Sequence, residues 1–285
     1  MKISVSERIG RFYTDIKESG FYGIDFSFDR FDVREKILSD EYTDYVMKKY
    51  SEIKDAGLFV CQTHLTYCSR PNLLNSLMEF DYKIFEEYML PMLVKEIEIT
   101  ARMGCRTAVL HMYFEPDCEL SRKGNVELLS KLLPVCEKYG VILSIENIYD
   151  VQKGVYCGIH LSTAEDLLYY VDYFKNPYLG ICLDTGHAII LHQKPVEMLK
   201  AIGDKLTALH IHSTVPNMDL HACPNCVYYG ERVDWDEFYN VLKDMDYDGT
   251  FNMELAVSEK LSDSAISTFY HFAYEVAKGI VLKNK

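Results

Sequence analysis

The chain has 285 residues, with 30 Lys plus Arg against 43 Asp plus Glu and a formal net charge of −13. An apolar fraction of 48% excludes a disordered chain, and no apolar run approaches the roughly 18–20 residues of a membrane span. The acidic balance argues against a broad grip on nucleic acid, which needs a basic face.

Short β-branched or apolar runs alternate with long amphipathic stretches along the whole chain. A strand at 2–5 leads into a helix at 7–19 that Gly20 ends, and strand 23–28 precedes helix 41–55. Strand 58–63 is followed by helix 82–103, strand 107–111 by helix 126–139, and strand 141–146 by helix 163–173. Strand 179–184 leads to helix 196–202, strand 208–212 to helix 235–244, and strand 250–254 to helix 262–278. Thr163 ahead of Glu165 and Asp166 is a start signal; Gly104 and Gly140 are stop signals.

That alternation implies parallel strands joined by crossover helices. Eight repeats fit an α/β fold of the (β/α)8 TIM barrel kind, typically ~250 residues. The rival, a doubly wound open sheet, is weakened because no strand is followed by a Gly-rich dinucleotide fingerprint. No low-complexity tract or Pro/Gly linker divides residues 1–285, so a single domain is expected.

Met1–Val5 carries no apolar stretch of signal-peptide length, and a chain so rich in core residues needs no disulfides to fold. A cytoplasmic, reduced protein is expected. Of nine cysteines, Cys61, Cys105, Cys136 and Cys182 sit in apolar runs and read as inert buried thiols. Cys223 and Cys226 form a Cys-x-x-Cys pair. It can be half of a zinc site completed by Cys68 and Cys118, a redox pair, or a pair with no special role.

Metal-binding side chains stand at six consecutive strand ends: His64, His111, Glu146, Asp184 with His187, His210 with His212, and Glu254. In a barrel this is the face where active sites are built. Carboxylates emerging from an apolar mouth are costly unless paired or bound to a cation, so the set implies a divalent metal. Mixed imidazole and carboxylate ligands suit Zn²⁺, Mn²⁺, Fe²⁺ or Co²⁺ rather than Ca²⁺. Glu146, Asp184, His210 and Glu254 come from four successive predicted strands and can surround one ion. His64, His111, His187, Asp219 and His221 can ligate further ions or hold substrate.

Two long loops, 66–81 and 213–234, follow the third and seventh strands. Tyr67, Tyr113, Phe114, Tyr149, Tyr228, Tyr229 and Trp235 fall in mouth loops and offer faces on which the apolar side of a small ligand can stack. Arg70 and Arg232 can bind a substrate phosphate or carboxylate. His64, His187, His212 and Arg232 are the expected substrate contacts.

Ser-Ile-Glu-Asn (144–147), Cys-Leu-Asp-Thr-Gly-His (182–187) and His-Ile-His (210–212) resemble the xylose isomerase-like TIM-barrel superfamily. So do Gly23-Ile24-Asp25, Asp-Leu-His (219–221), Val-Asp-Trp (233–235) and Tyr-Asp-Gly-Thr-Phe-Asn-Met-Glu (247–254). The likeness runs from about Gly23 to Leu255. That superfamily holds sugar isomerases and epimerases, inosose-processing enzymes and DNA repair enzymes of the endonuclease IV type. The resemblance matches Glu146, Asp184, His210 and Glu254 to the single-metal quartet of ketose epimerases, and His187 to a residue that contacts substrate there. It also finds counterparts for His64, His111, Glu146, Asp184, His187, His210, Asp219, His221 and Glu254 in the three-metal set of the endonuclease branch.

Two departures bear on the choice. Residues 222–232 replace the Gly-Glu-Gly turn of the endonuclease branch, and Ser213-Thr214 replace the Asp-Asn often found in the sugar branch. With the acidic charge, the expected function is a metal-dependent isomerase or epimerase of a small sugar, sugar phosphate or inosose. Glu146 and Glu254 would move a proton through an enediolate beside one Zn²⁺ or Mn²⁺, with up to three ions allowed. The alternatives are an apurinic-site phosphodiesterase of the endonuclease IV type using up to three zinc ions, and an inactive ligand-binding barrel. Barrels of this kind often associate, which leaves a homo-oligomer open.

Overall fold

A computed structural model describes residues 1–28, 33–68, 85–113, 117–227 and 233–282. In chain order its strands are β1 (Lys2–Ser6), β2 (Gly23–Ser27), β3 (Phe59–His64), β4 (Thr107–Leu110), β5 (Ile142–Glu146), β6 (Tyr149–Gln152), β7 (Val155–Gly158), β8 (Leu179–Asp184), β9 (Leu206–His210) and β10 (Thr250–Met253). Eight of them form one parallel sheet in the order β10-β1-β2-β3-β4-β5-β8-β9. The ring closes between Ile211, just past β9, and Met253 in β10. There the Ile211 N–H donates to Asn252 O at 2.8 Å and the Glu254 N–H to Ile211 O at 3.0 Å. The fold is therefore the expected single-domain TIM barrel.

Alternation along each strand decides what faces the bore. The register pairs Ser4 with Asn252, Asp25 with Gln62, His64 with Val109 and Ser144, Glu146 with Cys182, and Asp184 with His210. These residues share the inner face, which is unusually polar. The intervening positions, such as Val5, Ile24, Leu110, Ile145, Leu183 and Met253, turn outward into the main apolar core under the helices. The apolar stability of the barrel lies outside the ring, and its chemistry inside.

Helices Glu41–Asp55 and Trp235–Asp244 match their predicted bounds. Elsewhere boundaries move for local reasons. The first helix is Tyr13–Ser19 rather than 7–19, because the Glu7 carboxylate accepts the N–H groups of Ile9 and Gly10 and holds the chain in a turn. The helix after β4 starts at Cys118 instead of 126, capped by the Asp117 side chain on the Glu119 and Leu120 N–H groups. The predicted 82–103 helix is wound as a π turn over Phe85–Met89 before an α-helix at Leu90–Arg102. Thr163 and Asp166 make the capping box that precedes Ala164–Phe174. The last helix runs Asp263–Leu282.

The sequence did not announce the short helices at Val33–Leu38 and Thr185–Ile190, the 3-10 turn at Gly203–Lys205 or the antiparallel hairpin β6–β7. The hairpin turns on Lys153 and Gly154, both at positive φ, as a type I′ turn requires. Among the described residues no helix is long and apolar enough to cross a membrane.

Candidate functional site

Glu146 ends β5 in the middle of four imidazoles. Its Oε1 lies 3.0 Å from His210 Nδ1 and 3.4 Å from His187 Nδ1. Its Oε2 lies 2.9 Å from His111 Nε2 and 3.4 Å from His64 Nε2. Glu254, just past β10, takes an ion pair from Arg8 on Oε1. Its Oε2 lies 3.4 Å from His210 Nδ1 and 3.8 Å from His221 Nδ1, is buried, and has no hydrogen-bond partner among the described residues. Asp184 caps helix Thr185–Ile190 by accepting the His187 N–H on Oδ1 at 2.7 Å. Its Oδ2 stands 3.9 Å from His210 Nδ1.

A second cluster adjoins the first. His212 Nε2 lies 3.0 Å from Asp184 Oδ1, and the His212 ring stacks on His221 with centroids 4.0 Å apart. His221 Nε2 lies 3.3 Å from Asp219 Oδ1, while Tyr149 in the hairpin donates its hydroxyl to Asp219 Oδ2 at 2.7 Å. The Thr-Gly-His sequence makes this packing possible. A Cβ at Gly186 would lie 1.8 Å from His212 Cε1, so only glycine lets the ring lie against this turn.

Burial and charge compete throughout. Burial opposes the ionised carboxyls of Glu146 and Glu254, yet His210 and His111 hold Glu146 well below the usual range, and His210, Arg8 and His221 do the same for Glu254. Burial also opposes a charged His210, but Cys182, Glu146 and Glu254 outweigh it and raise its pKa well above the ordinary value. Burial likewise works against His221, and Asp219 and Glu254 nonetheless raise it to about 9. His111 goes the other way, because burial dominates and lowers it.

Three sets of side chains bring one potential ligand atom each within 4.8 Å of one another. They are Glu146, Asp184, His210 and Glu254; His64, Glu146 and His210; and His212, Asp219 and His221. The first is the quartet expected from the sequence, and its residues fit a divalent cation. The donors are hard oxygens and one imidazole, three buried carboxylates crowd together, and one of their oxygens lacks any hydrogen bond among the described residues.

Above the quartet opens a cavity of about 310 Å³, within the range of small-ligand pockets. Its described lining includes Glu146, His187, Asp219, His221 and Glu254 with Tyr67, His111 and Tyr149. Tyr67 stacks on His111 at 4.6 Å. His64 and His212, expected as substrate contacts, are buried beside the carboxylates and do not line this cavity. Arg70, Phe114, Tyr228, Tyr229 and Arg232 lie outside the described residues. Cys223 and Cys226 join none of the three clusters.

Arg8 and Asp25 were missed as site residues. Arg8 was hidden inside a predicted helix that in fact starts later. Asp25 sits in the middle of β2 and stood out in the sequence only as the third residue of Gly23-Ile24-Asp25.

A family model described as xylose isomerase-like TIM barrel matches residues 13–270. The chain belongs to that family. Within the xylose isomerase-like barrels, D-psicose 3-epimerase crystallised in the presence of D-fructose superposes with a TM-score of 0.74 at 16% identity, covering 99% of both chains. The 3-keto-D-glucoside 4-epimerase of E. coli gives 0.71 at 18% identity, covering 98% of this chain and 99% of that one. Among curated relatives, an uncharacterised protein of Sinorhizobium fredii is 22% identical over 193 residues, 65% of this chain. The 3-oxo-isoapionate decarboxylase of Pectobacterium atrosepticum is 31% identical over 84 residues, 30% of this chain. The matched stretches span 58% and 26% of those relatives' own lengths.

Proposed function

We propose that the protein is a divalent-metal-dependent epimerase or isomerase of a small ketose, ketose phosphate or inosose. One arrangement carries the reading. Glu146 and Glu254 flank His210 at the floor of a sugar-sized cavity, each with an oxygen within 3.4 Å of His210 Nδ1. The sugar epimerases among the structural neighbours agree with it.

Glu146, Asp184, His210 and Glu254 would hold the ion, and Zn²⁺ and Mn²⁺ suit their donors. When bound, it supplies the Lewis acidity that makes a proton beside a carbonyl removable. The chain supplies the rest. Glu146 and Glu254 are both held ionised, so either carboxylate can take the proton to give an enediolate; the other returns a proton to the opposite face after taking it up from water in the cavity, and the first then releases its own to water. Arg8 fixes the Glu254 carboxylate by gripping Oε1. His111 and His187 edge the cavity and orient hydroxyls, while the Tyr67 and Tyr149 rings offer apolar faces to the C–H side of a sugar.

The test is solvent isotope exchange. Metal-loaded protein is incubated in D₂O with ketoses, their phosphates and inososes, and deuterium is sought on the carbon beside the carbonyl. Exchange with at least one member, lost in Glu146→Gln and Glu254→Gln, is expected. No exchange across the panel, or full exchange in both variants, would reject the proton-transfer scheme.

A second reading rests on the two further clusters, His64–Glu146–His210 and His212–Asp219–His221. Together with the quartet they would suit a multi-ion phosphodiesterase of the endonuclease IV type. Elemental analysis separates the two. About one ion per chain favours the epimerase, and about three make an abasic-site cleavage assay the next step.

A further inference from the structure

Beneath the carboxylate–imidazole cluster the bore has a charged floor. Asp25, on the inner face of β2, places Oδ2 3.2 Å from His210 Nε2. The other ring nitrogen, Nδ1, faces Glu146 Oε1 at 3.0 Å and Glu254 Oε2 at 3.4 Å. Both nitrogens of His210 therefore meet carboxylates, one set above and one below, and a flipped ring would lose both contacts.

Asp25 is itself held from three other strands. Ser6 Oγ, Gln62 Nε2 and Asn252 Nδ2 reach the same Oδ2 at 3.0, 3.3 and 3.4 Å. The residue is 3% exposed, and its Oδ1 has no hydrogen-bond partner among the described residues. TIM-barrel bores are ordinarily filled by branched apolar side chains, and a buried carboxylate is expensive. A floor that only filled space would need no charge. What distinguishes Asp25 is that its charge is aimed at the far side of a candidate ligand. A carboxylate or carbonyl behind a ligating imidazole fixes the ring, sets which nitrogen is free and makes that nitrogen a better donor.

We propose that Asp25 is the positioning carboxylate of the metal centre. It accepts the Nε2–H of His210 and so holds the ring with the Nδ1 lone pair turned to the ion shared with Glu146, Asp184 and Glu254. The inference rests on the metal-centre reading above. It adds a residue that touches neither ion nor substrate.

The test needs no substrate. Metal-free wild type, Asp25→Ala, Asp25→Asn, His210→Ala and the Asp25→Asn/His210→Ala double variant are titrated with Mn²⁺ and Zn²⁺ by calorimetry or chelator competition. Asp25→Ala should weaken binding by roughly 10- to 100-fold. Asp25→Asn keeps an acceptor for Nε2–H but loses the charge, and should cost less. In the His210→Ala background the same Asp25→Asn change should alter affinity by less than about twofold, because its target is gone. Equal losses in both backgrounds would mean a merely structural floor and would overturn the proposal, as would wild-type affinity in both Asp25 variants. If Asp25→Ala does not fold, the Asn variant and the double-variant comparison decide. A wild type that binds neither ion overturns the metal-centre reading and this inference together. A wild type that binds, with Asp25 variants that bind equally, overturns this inference alone.

Discussion

Asn147 and Asp184 are tied by a reciprocal pair of hydrogen bonds: Asn147 Nδ2 donates to the Asp184 carbonyl at 2.9 Å, and the Asp184 N–H donates to Asn147 Oδ1 at 2.7 Å. The side-chain amide extends the β5–β8 ladder one step beyond its last pair, Glu146 with Cys182. It locks the main chain of one candidate ligand to the neighbour of another. Asn147→Ala leaves two buried backbone groups unpaired, at about 1–3 kcal/mol each. Urea denaturation of the metal-free protein should show a loss of ~2–4 kcal/mol, with weaker Mn²⁺ binding in parallel.

The stability of the metal-free protein should peak in mildly acidic solution. His221 is raised from 6.5 to about 9, and His210 is raised too. Their contribution is complete below pH 6.5 and fades as pH rises through the folded-state values. Glu146 and Glu254 are depressed from 4.5, so theirs is present above that pH and is lost as acid protonates them. The melting temperature should be highest between about pH 4.5 and 6.5 and fall on both sides. Saturating Mn²⁺ should lift the alkaline limb, because ligation needs unprotonated imidazole. A metal-free melting temperature that stays level from pH 6.5 to 9 in calorimetry would contradict this.

Two glycines should respond oppositely to alanine. At Gly186 the new methyl would collide with His212, so a loss of about 1–3 kcal/mol or more is expected. At Gly279, inside the last helix, a Cβ meets none of the described residues within 4 Å. Gly279→Ala should stabilise by roughly 0.5–1 kcal/mol through helix propensity alone. Thermal denaturation of both variants at one pH makes the comparison.

Lys36 and Glu96 form a fully buried pair outside the ring, 3.4 Å apart. Glu96 also accepts the Thr66 N–H at 2.8 Å and its hydroxyl at 2.6 Å, which anchors the chain just before Tyr67. Lys36→Met should cost about 3–5 kcal/mol by leaving a buried carboxylate unpaired. Adding Glu96→Gln should restore much of that loss, since the amide keeps an acceptor for Thr66 without the charge. Urea midpoints of the two single variants and the double variant test this non-additivity.

The barrel and most of the cluster were legible because they depend on local alternation. A polar residue closing an apolar run, as in Leu-Ser-Ile-Glu or Gly-Ile-Cys-Leu-Asp, marks both the strand and its inward end. What was not legible depends on closure. Asp25 meets His210 across 185 positions of chain only because the ring curls β2 towards β9. Arg8 reaches Glu254 across the β10–β1 junction, which no spacing in the sequence announces. The hairpin had a readable signal in Lys153-Gly154 between two four-residue runs, but Lys at positive φ is an uncommon turn residue.

The ring is thinnest between β9 and β10. There the described residues form one isolated bridge, Ile211 to Met253, and His210 and Glu254 stand on either side of it. A cation held by those two side chains, as in the proposed centre, would act as a rivet across the seam and help keep the cylinder shut. Stripping it should loosen this seam before any other, and amide exchange at Ile211 and Glu254 should quicken while the β4–β5 ladder stays protected.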